Sequence, residues 1–169
     1  MIDGQASTLV LALGNPLMGD DGVGAVVLGR LQEWDWGLDV SIVDGETWGL
    51  RLLPDVEAAE RLLVIDAIDA GAAPGAVIRI SGDELPRRLD TAVSSHQVGL
   101  RDVLALADLR GRFPRIVIAI GVQPAVVEFG ATLSSAVRGA VETVVAAAAN
   151  QLQAWGHTPR SQCDVPIGA

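Results

Sequence analysis

Two adjacent carboxylates, Asp20 and Asp21, follow the apolar run Leu11-Ala12-Leu13 across a turn, Gly14-Asn15-Pro16-Leu17-Met18-Gly19. Asp44 and Asp66 end two further apolar runs, and His96 precedes a segment of helical periodicity. Two carboxylates and one imidazole make a donor set that suits zinc, nickel, iron or manganese and keeps positions open for water or substrate. A metal so held can polarise a carbonyl and lower the pKa of a bound water. The chain has no H-E-x-x-H pair and its only other histidine is His157, so such a site has to be assembled from distant segments. Neither a G-x-S-x-G elbow nor a Walker lysine motif is present, so acyl-serine chemistry and nucleotide hydrolysis lose support.

The elements that must position these groups alternate between apolar runs and helical periodicity, the pattern of a layered βαβ-type domain. Strands are expected at 8–13, 39–43, 62–65, 76–80 and 116–120, and helices at 22–33, 48–59, 97–109 and 135–155. Pro54 should kink or split the second helix, and Ser95 suits the N-cap of the third. Asp20, Asp21, Asp44 and Asp66 then stand at the carboxyl ends of parallel strands, the rim where open α/β sheets bind ligands. The strand 76–80 follows a connection too short for a helical crossover, so it is expected to be antiparallel or displaced to an edge. At ~3.3 Å per residue the loop that follows it is long enough to bring His96 back to the same rim. The fold class expected is α/β: a single three-layer domain over 1–156, with a twisted, mostly parallel five-stranded sheet between helices and one antiparallel strand. The stretch 157–169, which contains Cys163, reads as a flexible tail.

Composition bounds the partners. A chain of 169 residues that is 50 % apolar, with mean hydropathy +0.38, can bury a sizeable core. Its net charge of -9 provides no basic patch for phosphates, which argues against nucleic acid. No uncharged apolar run approaches membrane-spanning length and the N-terminus is acidic, so the expectation is a cytoplasmic protein without membrane insertion. The lone cysteine excludes an internal disulfide.

Each candidate also has a plain structural reading. Asp21 suits a helix cap, Asp66 a strand-end turn, His96 a packing role, and the glycines a tight turn. The four tryptophans read as core or helix-packing residues. Asp44 could hold a ribose in a dinucleotide fold, but carboxylates in the first turn would repel the pyrophosphate.

Taken together, the motifs resemble the maturation endopeptidases of nickel-iron hydrogenases. Gly14-Asn15-Pro16-Leu17-Met18-Gly19-Asp20-Asp21-Gly22-Val23-Gly24 is similar to that family's opening segment, and Asp44-Gly45-Glu46-Thr47 to the end of its second strand. Asp66-Ala67-Ile68-Asp69-Ala70-Gly71, Ser94-Ser95-His96-Gln97-Val98-Gly99 and Gly121-Val122-Gln123-Pro124 follow in the family's order, and the matches continue to Ser134. Asp21 stands where the family has Glu or Asp, Glu46 where a small residue is common, Ala125 where an acid often follows, and Ser135 in place of a frequent proline.

The resemblance implies an endopeptidase, of aspartyl or metallo type, that removes a C-terminal extension from the hydrogenase large-subunit precursor after nickel insertion. It implies nickel bound by Asp21, Asp66 and His96 and carried by the precursor, with Gly14, Asn15, Asp20, Asp44 and Gln97 in support, and a water activated by metal or by Asp21. The oligomeric state is left open, with the monomer favoured. A second reading is a nickel-dependent precursor-docking module without proteolysis. A third, from the Leu13-Gly14-Asn15-Pro16 turn, is a peptidyl-tRNA hydrolase-like esterase, whose polyanionic substrate a chain at -9 would repel.

Overall fold

Strands buried on both faces read as continuous apolar runs, and β1 (Thr8–Leu13), β4 (Arg61–Ala67) and β6 (Ile116–Val122) have that character. In the computed structural model, which describes residues 7–46, 49–82 and 95–161 and no side chains at 46, 95–98 or 161, these three strands form the centre of a five-stranded sheet. The order is β3-β1-β4-β6-β5, with β3 (Val40–Glu46) and β5 (Val77–Ser81) at the edges. All pairings are parallel except β5 with β6, which is antiparallel in the register Val77↔Val122. β5 is therefore both antiparallel and an edge strand, as its short connection required.

Alternation along each strand feeds two cores. Leu9, Leu11, Leu13, Leu62 and Val64 pack towards Leu52, Val56, Leu100, Val103 and Leu104 of the layer formed by α2 (Leu53–Ala58) and α3 (Ser95–Leu109). Val10, Leu63 and Ile65 face Val23, Val27, Leu31, Val137, Val141 and Val144 of α1 (Val23–Leu31) and α4 (Ser135–Ala154). The chain is thus the three-layer α/β domain expected. The helix read over 48–59 is split into a 3-10 turn, Gly49–Leu52, and α2, with Pro54 in the first turn of the latter. Proline is tolerated there because the first N–H groups of a helix have no intrahelical acceptor. Among the described residues, no helix is long and apolar enough to cross a membrane.

Part of the stretch read as a tail, 157–161, is docked, and 162–169 lie outside the described residues. Gly156 reverses the chain with φ +94, and Arg160–Ser161 pairs as β7 with β2 (Trp34–Asp35). His157 is buried, with Nε2 2.9 Å from Thr8 Oγ1. Arg61 donates to the Trp155 carbonyl at 2.6 Å and lies 5.9 Å from the Trp155 ring centroid. Trp36 is buried, whereas Trp34 is exposed rather than packed; Trp48 and Cys163 lie outside the described residues.

Burial penalises the imidazolium of His157, and Arg61 adds repulsion that the pull of Asp39 does not offset, so its pKa lies below the ordinary histidine value. A depressed histidine pKa leaves stability intact above about pH 6.5 and removes it as pH falls from there towards the folded-state pKa. Urea midpoints measured between pH 7.5 and 5.5 should therefore decline, and His157→Gln should flatten that decline.

Candidate active site

After β1 the chain must turn sharply to begin a helix over the sheet. Gly14 does this with φ +113, and a Cβ there would run into the Asp21 carbonyl. The close approach is what allows Asn15 N–H to donate to Asp21 Oδ2 at 2.8 Å. Asn15 Oδ1 accepts from Leu17 N–H at 2.9 Å, a local turn that fixes the loop. Asp20 and Asp21 lie in the 3-10 turn Gly19–Gly22 and are 0 % and 3 % exposed. Gly22, not Asp21, occupies the N-cap position of α1, and no side chain caps it.

The two neighbouring carboxylates have different surroundings. Asp20 Oδ2 accepts from Ala125 N–H at 2.8 Å and Val126 N–H at 2.9 Å, and Oδ1 from Ser134 N–H at 2.6 Å. Its own N–H donates to the Val126 carbonyl at 2.9 Å. Burial alone would raise its pKa, but the hydrogen bonds from Ser134, Val126 and Ala125 outweigh burial and hold it below the ordinary carboxylate range. Asp20 is the fastening between the first turn and the segment joining β6 to α4. Asp21 Oδ2 accepts from Asn15 N–H within the same turn.

Asp66 is also 3 % exposed and remains within β4, in register with Gly121. Its Oδ1 accepts from Ala67 N–H at 2.8 Å. Gly121 is required here, since a Cβ would meet the Asp66 carbonyl and the Ile68 side chain. Gly24 plays a similar part for α1: a Cβ would strike the Leu13 carbonyl and lie 3.1 Å from the Ile65 carbonyl. The helix thus starts directly over the ends of β1 and β4, and Asp21 and Asp66 flank that start. Asp44, exposed at the end of β3 opposite Ala12, borders the same rim.

The position of His96 follows from connectivity. β6 runs parallel to β4 and begins shortly after α3 ends, so α3 descends towards the amino edge of the sheet. At 1.5 Å per residue its other end lies ~22 Å away, at the carboxyl edge. A Cβ at Gly99 would sit 3.4 Å from the Gly49 Cα, which places that first part of α3 beside the turn after β3. His96 and Gln97 belong to the first turn of α3, while their side chains lie outside the described atoms. Among the described residues no three His, Cys, Asp or Glu side chains gather closely enough to hold a metal.

Gln123 is the residue whose part the sequence did not disclose. It is buried, its Oε1 accepts from Ala70 N–H at 2.8 Å and Ala72 N–H at 3.0 Å, and its Nε2 donates to Asp69 Oδ1 at 3.0 Å. Gln123 and the Gly71 N–H together hold Asp69 below the ordinary carboxylate value. The motif Gly121-Val122-Gln123-Pro124 therefore clamps the loop that follows Asp66. Its match to a family segment was the only signal available, because the partners lie some fifty positions away. Gln123→Ala leaves two amide donors without that acceptor and should cost about 2 kcal/mol, read as a lower urea midpoint at unchanged slope.

A family model described as hydrogenase maturation protease matches residues 27–151. The hydrogenase expression/formation protein HoxM of Cupriavidus necator is 39% identical over 154 residues, covering 89% of this chain and 76% of that protein. The hydrogenase 2 maturation protease of Escherichia coli is 34% identical over 145 residues, covering 82% of this chain and 88% of its own length. Among solved structures, the hydrogenase maturating endopeptidase HybD from E. coli matches with a TM-score of 0.88 at 31% identity, over 94% of this chain and 99% of that one. The [NiFe] hydrogenase maturation protease HybD from Thermococcus kodakarensis matches with a TM-score of 0.72 at 31% identity, over 86% and 99%.

Proposed function

The chain belongs to the hydrogenase maturation protease family, and we propose that it is a cytoplasmic endopeptidase that removes a C-terminal extension from the nickel-loaded large-subunit precursor of a nickel-iron hydrogenase. What supports this reading is a fold that matches a maturating endopeptidase nearly end to end, with Asp21 and Asp66 buried beside the start of α1 and the first turn of α3 beside the turn after β3. The family assignment displaces the peptidyl-tRNA hydrolase reading.

Nickel is cargo of the precursor, and Asp21, Asp66 and His96 are its protein ligands during docking. The donor chemistry fits. A backbone N–H orients each of the two buried carboxylates, Asn15 N–H at Asp21 and Ala67 N–H at Asp66, and carboxylate oxygen with imidazole nitrogen is a donor set that divalent nickel accepts. Ligand type alone accommodates nickel and zinc; nickel is chosen because the Thermococcus relative is named for [NiFe] hydrogenase.

In the hydrolytic step a water oxygen adds to the scissile carbonyl carbon while the Asp21 carboxylate takes the water proton. The carbon–nitrogen bond then breaks and the proton passes to the leaving amine. The products are a new carboxylate on the large subunit and a released peptide with a free amino terminus. Incubating the purified chain with a nickel-loaded precursor should yield a shortened subunit and that peptide, whose sequence gives the cleavage position. A stable complex in which the precursor keeps its full length would instead establish the docking module.

A further inference from the structure

The segment between β6 and α4 is not helical or extended, yet its backbone is held at several points. Asp20 accepts from Ala125, Val126 and Ser134 N–H, as described above, Ala131 N–H donates to the Glu128 carbonyl at 3.2 Å, and Gly130 N–H donates to the Leu17 carbonyl at 2.8 Å. The side chains on this fixed backbone nevertheless face water. Phe129 is 80% exposed and Val127 45%, beside Leu17 at 59%. Phe129 is one of only two phenylalanines in the chain, and burying it would yield about 2 kcal/mol or more. The fold leaves that gain unused while fixing the backbone that presents it, which marks an interaction surface.

Charge narrows what can cover it. Besides the buried Asp20, the stretches 14–22, 66–76 and 121–134 at the carboxyl edge contain Asp21, Asp66, Asp69 and Glu128 and no arginine or lysine, with Asp44 at the end of β3, while the Arg138 guanidinium is engaged by the Leu133 carbonyl at 2.7 Å. An approaching surface must offer apolar groups to Phe129 and Val127 and positive charge to the surrounding carboxylates. We propose that Leu17, Val127 and Phe129 form the docking surface for the substrate precursor, receiving an apolar segment bordered by basic side chains. This rests on the maturation-protease reading and adds to it the chemistry by which the partner is selected. The patch shares its loop with Asp21: Leu17 N–H is bonded to Asn15 Oδ1, and Asn15 N–H to Asp21 Oδ2. Docking there brings the precursor directly beside the carboxylates.

The test uses the full chain, the double variant Val127→Ser with Phe129→Ser, and Glu128→Arg, each with purified nickel-loaded precursor. Affinity is measured by calorimetry, processing by initial rates, and self-association by sedimentation. The apolar double variant should raise Kd and KM about tenfold or more, as loss of a central aromatic anchor does, with kcat and melting temperature kept. Glu128→Arg should weaken association, and wild-type affinity should fall as salt is raised. If the wild type processes the precursor and the double variant does so with equal KM, the docking surface is refuted while the protease reading stands. If the wild type binds without cleaving and the double variant fails to bind, the protease reading fails and the surface stands. Neither binding nor cleavage by the wild type overturns both, and a change from dimer to monomer in the variants assigns the patch to a second copy of this chain and overturns the proposal.

Discussion

Asp66→Asn and Asp21→Asn are each expected to reduce kcat/KM for precursor shortening by about a thousandfold or more, which is ~4 kcal/mol of transition-state stabilisation. Asparagine is the informative replacement because its amide oxygen can still accept from Ala67 N–H at position 66 and from Asn15 N–H at position 21. The fold is thereby retained while the negative charge and the basic oxygen are removed. General-base action contributes a factor of about 100 to 10000, and loss of a charged ligand to the precursor's metal adds to it. Circular dichroism and the urea midpoint should match the wild type. Normal processing by both variants would show that the chemistry lies elsewhere on the molecule.

Asp20→Ala should have the opposite phenotype, a loss of stability rather than of chemistry. Three amide donors, from Ala125, Val126 and Ser134, lose their acceptor at once. Hydrogen bonds to a charged acceptor contribute about 1.5–3 kcal/mol each. A loss of about 4 kcal/mol or more is expected, a large share of the 5–15 kcal/mol typical of a domain. Asparagine cannot restore it, because its NH2 group would face one set of donors.

The pH dependence follows the same geometry. The folded-state pKa of Asp20 is depressed by these bonds despite burial. Its contribution is therefore complete above the ordinary aspartate pKa of about 4 and is lost as pH falls below that towards the folded-state value. Wild-type melting temperature should drop through that acid range, and Asp20→Ala should show a lower temperature with a weaker dependence.

Adjacent aspartates with different surroundings show where the sequence stops being informative. Asp20 and Asp21 are chemically identical neighbours, and what separates them is the segment reached by Asp20 more than a hundred positions away. Local patterns were legible where local chemistry decides the outcome. The short connection before β5 excluded a parallel crossover, Pro54 split the second helix, and the glycines at 14 and 24 occur where a Cβ would strike backbone. The docked stretch 157–161 was not legible, because its anchors are Thr8 on β1 and the two-residue strand Trp34–Asp35, too short to carry a periodic signal. Gln123 was hidden for the same reason, since a buried glutamine acquires meaning only beside the loop whose amides it receives.

On the proposed function, Asp21, Asp66 and His96 act together on a nickel-loaded precursor. The most direct test is the intact mass of the precursor, loaded with nickel or free of it, after incubation with the wild-type chain or with Asp66→Asn. Loss of a C-terminal peptide only from the nickel-loaded precursor, and only with the wild type, is the result predicted. Equal shortening of the nickel-free precursor, or by Asp66→Asn, would contradict it.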